Sequence, residues 1–341
     1  MPDNRPSLGD IARALGVSTM TVSRALRGRS GVSAELRDRI HRQASALGYH
    51  PDPTLQRLTQ HLRSRRQSGI RAVVAAVTDI PTRIEPAYCT RLRTHAAGRA
   101  RELGFAFSVL RVSPKSGGWS AALRALHARG VEGVLLLPLV APTTLEAAPW
   151  SAFSVIAATS SVVAPAFHRV IPHHALNARL LIARLSALGH RRIGFIGTHT
   201  HSLRSLDAFP SAIAWHHARL GLRCTPLLHP PATQPDIVDW ARRERPDVIV
   251  LGRESDLPAY QTQLASAGLS PAWALAAVDP ENQTLFGMDE RHDLLGAAAI
   301  DTLAGMIART ERGVPAVPAM TLLPGDWHDA GRPSSHPDKL Q

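Results

Sequence analysis

From Ile70 onward the chain alternates short apolar stretches with helical ones, and several of the helices are closed by a glycine. The apolar stretches are "IRAVVAAV", "FAFSVLRV", "VEGVLLLP", "FSVIAAT", "RRIGFIG", "CTPLLH", "PDVIVLG" and "AWALAAV". Their length and their turn-rich borders read as strands, and strands alternating with helices build parallel β–α units. The stops fall at Gly104, Gly130, Gly189, Gly221 and Gly268, where glycine supplies a left-handed cap before the next strand. The class expected is α/β.

With 341 residues the chain exceeds one minimal domain. A hydrophobic content of 44% against 19% charged residues fits a folded chain. The formal net charge of +12 is unevenly spread: residues 1–66 hold 12 Arg against 5 acidic residues, while the remainder holds 27 basic against 22 acidic ones. A basic excess gathered in the first fifth points to a polyanionic partner. Cys89 and Cys224 stand far apart without metal-ligand companions, and two reduced thiols are expected rather than a disulfide framework. The opening "MPDNRPSLGD" lacks an apolar signal core, and "VLLLPLVAP" is shorter than the roughly 20 residues of a membrane span. A cytoplasmic location with no membrane partner is expected.

The basic segment has its own pattern. Ser7 and Asp10 form a capping box for a helix with Leu8, Ile11, Ala12 and Leu15 inward. Gly16 stops it, and Ser18 caps a second helix over Thr19 to Leu26 with Val22, Ala25 and Leu26 inward. Ser33 caps a third, ending at Gly48, with Leu36, Ile40, Ala44 and Leu47 at helical spacing. Two helices joined by a tight glycine turn are a helix-turn-helix, whose second helix enters the DNA major groove with its first residues at base edges. Thr19, Met20 and Arg24 suit base reading; Ser18, Thr21 and Ser23 suit phosphate contact.

The stretch "SLGDIARALGVSTMTVSRALRGRSGVSAELRDRIHRQASALGYHPD" resembles the DNA-binding region of the LacI/GalR family of bacterial transcription regulators. The pattern includes Asp10, Ile11, Ala12, Gly16, Val17, Ser18, Thr21, Val22, Ser23, Arg24, Leu26, Val32, Ser33, Arg37, Gly48, Tyr49 and Pro51. With the resemblance, the set expected at DNA is Ser7, Ser18, Thr19, Met20, Thr21, Ser23, Arg24, Arg27, Ser33 and Tyr49, joined by Arg57 and Leu58 from the next segment.

That segment, "DPTLQRLTQHLRSRRQSG", carries Leu55, Leu58 and Leu62 on one helical face. The resemblance implies a hinge helix that pairs with its copy in a homodimer and presses Leu58 into the minor groove. Arg57, Arg63, Arg65 and Arg66 would then lie near phosphates. Asp52, Leu55 and Gln56 depart from the family's Asn, Ala and Arg.

"LGHRRIGFIG", "GVEGVLLLP" and the closing "ERGVPAVP" resemble the family's periplasmic-binding-protein-like effector domain, built of two parallel α/β subdomains. The layout expected is a helix-turn-helix domain at 1–51, a hinge helix and linker at 52–68, and an effector domain at 69–330. Its subdomains would comprise 69–165 with 292–318, and 166–291 with 319–330, followed by a loose tail at 331–341. Ligands of open α/β sheets sit beyond the carboxyl ends of strands. Strand ends nominate Asp79, Ser160, Arg204, Asp279 and Asp289, and the resemblance matches Asp279 to an aspartate that commonly binds a ligand hydroxyl. The family's pocket arginine aligns with Ser205, and His173 and His174 replace a common Asp-Asn pair.

The 17 histidines fall into groups such as His173-His174, His199-Thr200-His201 and His216-His217, without a Cys or carboxylate cluster at ligand spacing. They read as exposed or capping residues. No metal, cofactor or catalytic set is expected, and no phosphate-binding or dinucleotide glycine motif occurs. The function expected is an operator-binding repressor, a homodimer controlled by a small molecule such as a sugar. The rival is a solute-binding protein or sugar-active enzyme with a helical appendage.

Overall fold

The computed structural model describes residues 8–26, 32–49 and 72–329, apart from Pro114, Ser116, Ala147, Arg223, Ala232 and Gln283. The hinge segment and tail expected from sequence, with Ser7, Arg27, Arg57 and Leu58, lie outside the described residues, as does the Ser23 side chain.

The first three helices form where the caps place them: α1 (Leu8–Leu15), α2 (Thr19–Leu26) and α3 (Ala34–Ala46). Gly16 turns the chain at φ +67°, a region that costs an L side chain energy. Ser18 Oγ accepts the Thr21 amide at 3.1 Å, and Ser33 Oγ accepts that of Leu36 at 3.3 Å. Ile11, Ala12, Val22, Ala25, Ile40 and Ala44 bury one shared core, against which Leu8, Leu15, Leu26 and Leu36 pack. Leu47, expected inward, is 37% exposed because it is the C-cap of α3, where the chain leaves the helix.

The first sheet holds β1 (Val73–Thr78), β2 (Ala106–Arg111), β3 (Val131–Leu136), β5 (Ser154–Ala157), β7 (His168–Pro172) and β13 (Met320–Leu323). Its order is β13-β7-β5-β3-β1-β2 and every pairing is parallel. Two cores sandwich it, one on the side of α4 (Ala87–Glu102) and α11 (His292–Arg309), the other on that of α5 (Gly118–Ala128). A short pair, β4 (Thr143–Thr144) and β6 (Val162–Ala164), hangs beside it.

The second sheet holds β8 (Ile193–Thr198), β9 (Leu227–His229), β10 (Val248–Leu251), β11 (Ala272–Leu275), β12 (Phe286–Asp289) and β14 (Asp326–His328). Its order is β14-β12-β11-β10-β8-β9, parallel except for β14. The helices α6 (His174–Ala187) and α8 (Ala208–Arg219) cover one face; α9 (Ile237–Glu244) and α10 (Leu257–Ser266) cover the other. The short α7 (His199–Arg204) follows β8. Gly104 and Gly268 take φ of +82° and +72° at the ends of α4 and α10, the stops read from sequence.

The subdomain boundaries need correction. Both β7 and β13 belong to the first sheet, so 166–172 and 319–323 do not join the second subdomain. The chain crosses at 173, at 290–291 and at 324–325. "HRVIP" carries histidine, arginine and proline in a strand, and its five residues show no alternation that marks it in the sequence.

Candidate nucleic-acid interface and inter-subdomain cleft

On α2 the buried stripe is Val22 and Ala25, both fully enclosed. Thr19, Met20 and Arg24 are exposed on the opposite side. Ser18 and Thr21, expected at phosphates, share a hydroxyl–hydroxyl hydrogen bond of 2.8 Å that fixes the first turn of the helix. Ser33 is exposed at the head of α3, and Tyr49 is half-buried against the three-helix core. The structure brings the α2 residues together on one open face.

The cleft candidates divide. Arg204, at the end of α7 in the second subdomain, reaches the first and donates from Nη2 to the carbonyls of Leu139 and Val140, at 2.6 and 2.7 Å. Asp79 Oδ1 accepts the Val140 amide at 2.8 Å, so Asp79 and Arg204 hold the same loop from opposite subdomains. Thr78 and Ser161 fix that loop further, by bonds to Pro138 O at 2.7 Å and from Leu139 N at 3.3 Å. Ser160 sits half-buried at the bend after β5.

The other two are engaged elsewhere. Asp279 accepts the Glu281 amide in its own turn at 3.1 Å. Asp289 is buried and accepts from Arg91 Nη1 of α4 and from the Arg291 amide, both at 2.9 Å. Arg91 also bonds Asp293 at 2.8 Å and Arg291 bonds Asp326 at 2.6 Å, so Asp289 belongs to an ionic lattice that braces the crossings.

Sequence reading missed the residues at the crossings themselves. The buried carboxylate of Glu290 bonds His174 Nδ1 at 2.8 Å and accepts from Asn177 Nδ2 at 3.4 Å, with His292 Nε2 at 4.0 Å. Asn177 Oδ1 accepts the Gly325 amide at 2.8 Å, so one asparagine joins all three crossings. Burial pushes the Glu290 pKa up, but the charge and hydrogen bond of His174, with His292 and His201, hold it below the usual carboxylate range. Burial lowers His292 and takes His201 down to about 4. The Tyr88 hydroxyl is raised by burial, and the Cys89 thiol is pushed up to about 12. The bonds from Glu290 to His174 and Asn177, and from Gly325 to Asn177, join positions more than a hundred residues apart, and no local pattern announces them.

The histidine expectation also needs correction. His173 does cap α6, accepting the Leu176 amide at 3.3 Å, and His199 is exposed. His174 and His201 are half-buried near the subdomain junction, and His217 is buried in the second subdomain with Nε2 accepting the Ile193 amide at 3.1 Å. Among the described residues no group of three or more His, Cys, Asp or Glu is placed to hold a metal ion.

The model of the family described as "Bacterial regulatory proteins, lacI family" matches residues 7–52, the three-helix unit. The resemblance to the LacI family is thus carried by the helix-turn-helix unit. Among similar proteins, the HTH-type transcriptional regulator TreR of Salmonella typhimurium is 29% identical over 195 residues, 57% of each chain. The match thus spans little more than half of that relative's length. A Lac repressor dimer bound to operator and an anti-inducer superposes with a TM-score of 0.54 at 19% identity, covering 96% of this chain and 99% of that one. The transcriptional regulator CelR in complex with cellobiose gives 0.55 at 18% identity over the same shares. These structures share the architecture described above: helical N-terminal unit, then two parallel-sheet α/β subdomains. No described helix is long and apolar enough to cross a membrane.

Proposed function

We propose that this chain is a cytoplasmic transcriptional repressor of the LacI family that binds a palindromic operator as a homodimer. α2 enters the major groove, with Thr19, Met20 and Arg24 at base edges and Ser18, Thr21, Ser23, Ser33 and the neighbouring Ser7, Arg27 and Tyr49 towards the backbone. The 52–68 connector pairs across the dimer and places Arg57 and Leu58 at the minor groove. A sugar held between the subdomains, in reach of Asp79, Ser160 and Arg204, shifts their angle and so the pairing of the connectors. Such coupling requires unequal affinity of the sugar for the two states. Asp279 and Asp289 act in this scheme by shaping the cleft wall and bracing the crossings.

The observation that carries this reading is the outer face of α2. An exposed arginine and two further open side chains stand opposite the fully buried Val22 and Ala25, within the residues the family model matches. The operator-bound Lac repressor and the cellobiose-bound CelR support the DNA and sugar classes. The test is a gel shift of the full chain on the DNA upstream of its own gene. The wild type binds with an affinity that falls linearly in log salt. Arg24→Ala loses a bidentate base contact and weakens binding by about tenfold or more. Absence of binding, or an Arg24→Ala protein that binds equally well, overturns the proposal. Cellobiose and a panel of other mono- and disaccharides, added to the same assay, reveal the effector as the one that moves the shift.

A further inference from the structure

Met20 is 65% exposed, and among the described residues of the three-helix unit the next most open large apolar side chain is Leu47 at 37%. An α-helix turns by about 100° per residue. Met20 precedes Val22 by two positions and Ala25 by five, which puts it about 160° and 140° from the two fully buried residues of α2. It therefore lies near the centre of the outer face, flanked by Thr19 and, one turn on, by Arg24.

A thioether donates no hydrogen bond and accepts only weakly, so Met20 cannot read the donor and acceptor code of a base edge. It is unbranched and polarizable, suited to covering small apolar groups. The apolar group the major groove offers is the C5-methyl of thymine. Resting on the DNA-binding reading above, we propose that Met20 is a specificity-determining residue that covers the methyl group of one thymine in each operator half-site. Residues four apart on a helix are displaced by about 6 Å along its axis, close to two base-pair steps. The thymine accordingly lies within about two base pairs of the guanine taken by Arg24.

The test uses the full-length protein at fixed salt. Preferred duplexes are selected from a randomised pool, and each half-site thymine is replaced by uracil, which removes the methyl and keeps every hydrogen-bonding group. One thymine per half-site responds, with a loss of about fourfold for one half-site and about fifteenfold for both, the worth of one buried methyl-sized group in each. Met20→Ala and Met20→Gln bind the thymine and uracil duplexes equally, whereas Met20→Leu keeps the preference. Since Met20 is on the surface, all three variants keep the wild-type Tm. A preferred sequence in which no thymine responds to uracil, or a response that persists in Met20→Ala, overturns the assignment and leaves the DNA-binding reading standing. A pool that yields no preferred sequence overturns both.

Discussion

His201 shows how a single residue links the interior to solution conditions. Its ring lies against Gly252, where a Cβ would come within 2.7 Å of Nδ1, and Nδ1 has no hydrogen-bond partner. An uncompensated charge there is costly, so burial depresses the pKa to about 4 from an ordinary 6.5. Between those values the unfolded chain binds a proton that the native ring refuses. The stabilisation is complete above pH 6.5 and is lost as the pH falls towards 4, by up to about 3 kcal/mol. The urea midpoint of the wild type drops between pH 7 and pH 5, and that of His201→Gln drops less. Equal drops would show that the ring does not carry the effect.

Among elements, the pairing of α4 with α11 depends on one missing side chain. A Cβ on Gly296 would strike the carbonyl oxygen of Leu92 and stand 2.9 Å from the amide nitrogen of Ala96, both backbone atoms that cannot rotate aside. Gly98, on α4, has open space around its missing Cβ. The same substitution therefore has opposite signs. Gly296→Ala forces the helices apart and costs roughly 1–3 kcal/mol, while Gly98→Ala gains up to about 1 kcal/mol from helix propensity. Thermal unfolding of the two variants checks this, and a shift of the same sign in both would refute it. The α4–α11 pairing makes the late helix part of the first subdomain, as its return was expected to do; the pairing of β13 beside β7 was not legible, because strand order in a parallel sheet is set by packing across long connections.

In the whole molecule the subdomains meet through the three crossings and through Arg204. Arg204→Ala frees the Leu139 and Val140 carbonyls on the first subdomain. Hydrogen bonds to a charged donor contribute about 1.5–3 kcal/mol, so exchange at the Leu139 and Val140 amides accelerates by about tenfold or more. Amides of the α4–α11 core keep their protection. Unchanged exchange in the loop would mean that Arg204 does not hold the subdomains together. In the scheme proposed above, an effector that takes over Arg204 from these carbonyls alters the same equilibrium.

The sequence alone determined the three-helix unit, the alternating sheets and the open face of α2, because caps, glycine turns and hydrophobic periods act over a few residues. Asp279 was nominated by its place at a strand end and by resemblance, and its Oδ1 accepts the Glu281 amide of its own turn; Glu290, in the same stretch of chain, passed unnoticed. Only the tertiary structure decided which strands belong to which sheet, which carboxylates are already paired, and that His174, Asn177, Glu290 and Gly325 join at the crossings. The reason is physical: those partners are brought together by packing between segments far apart in the chain, and a hydrogen bond formed that way leaves no period in the sequence.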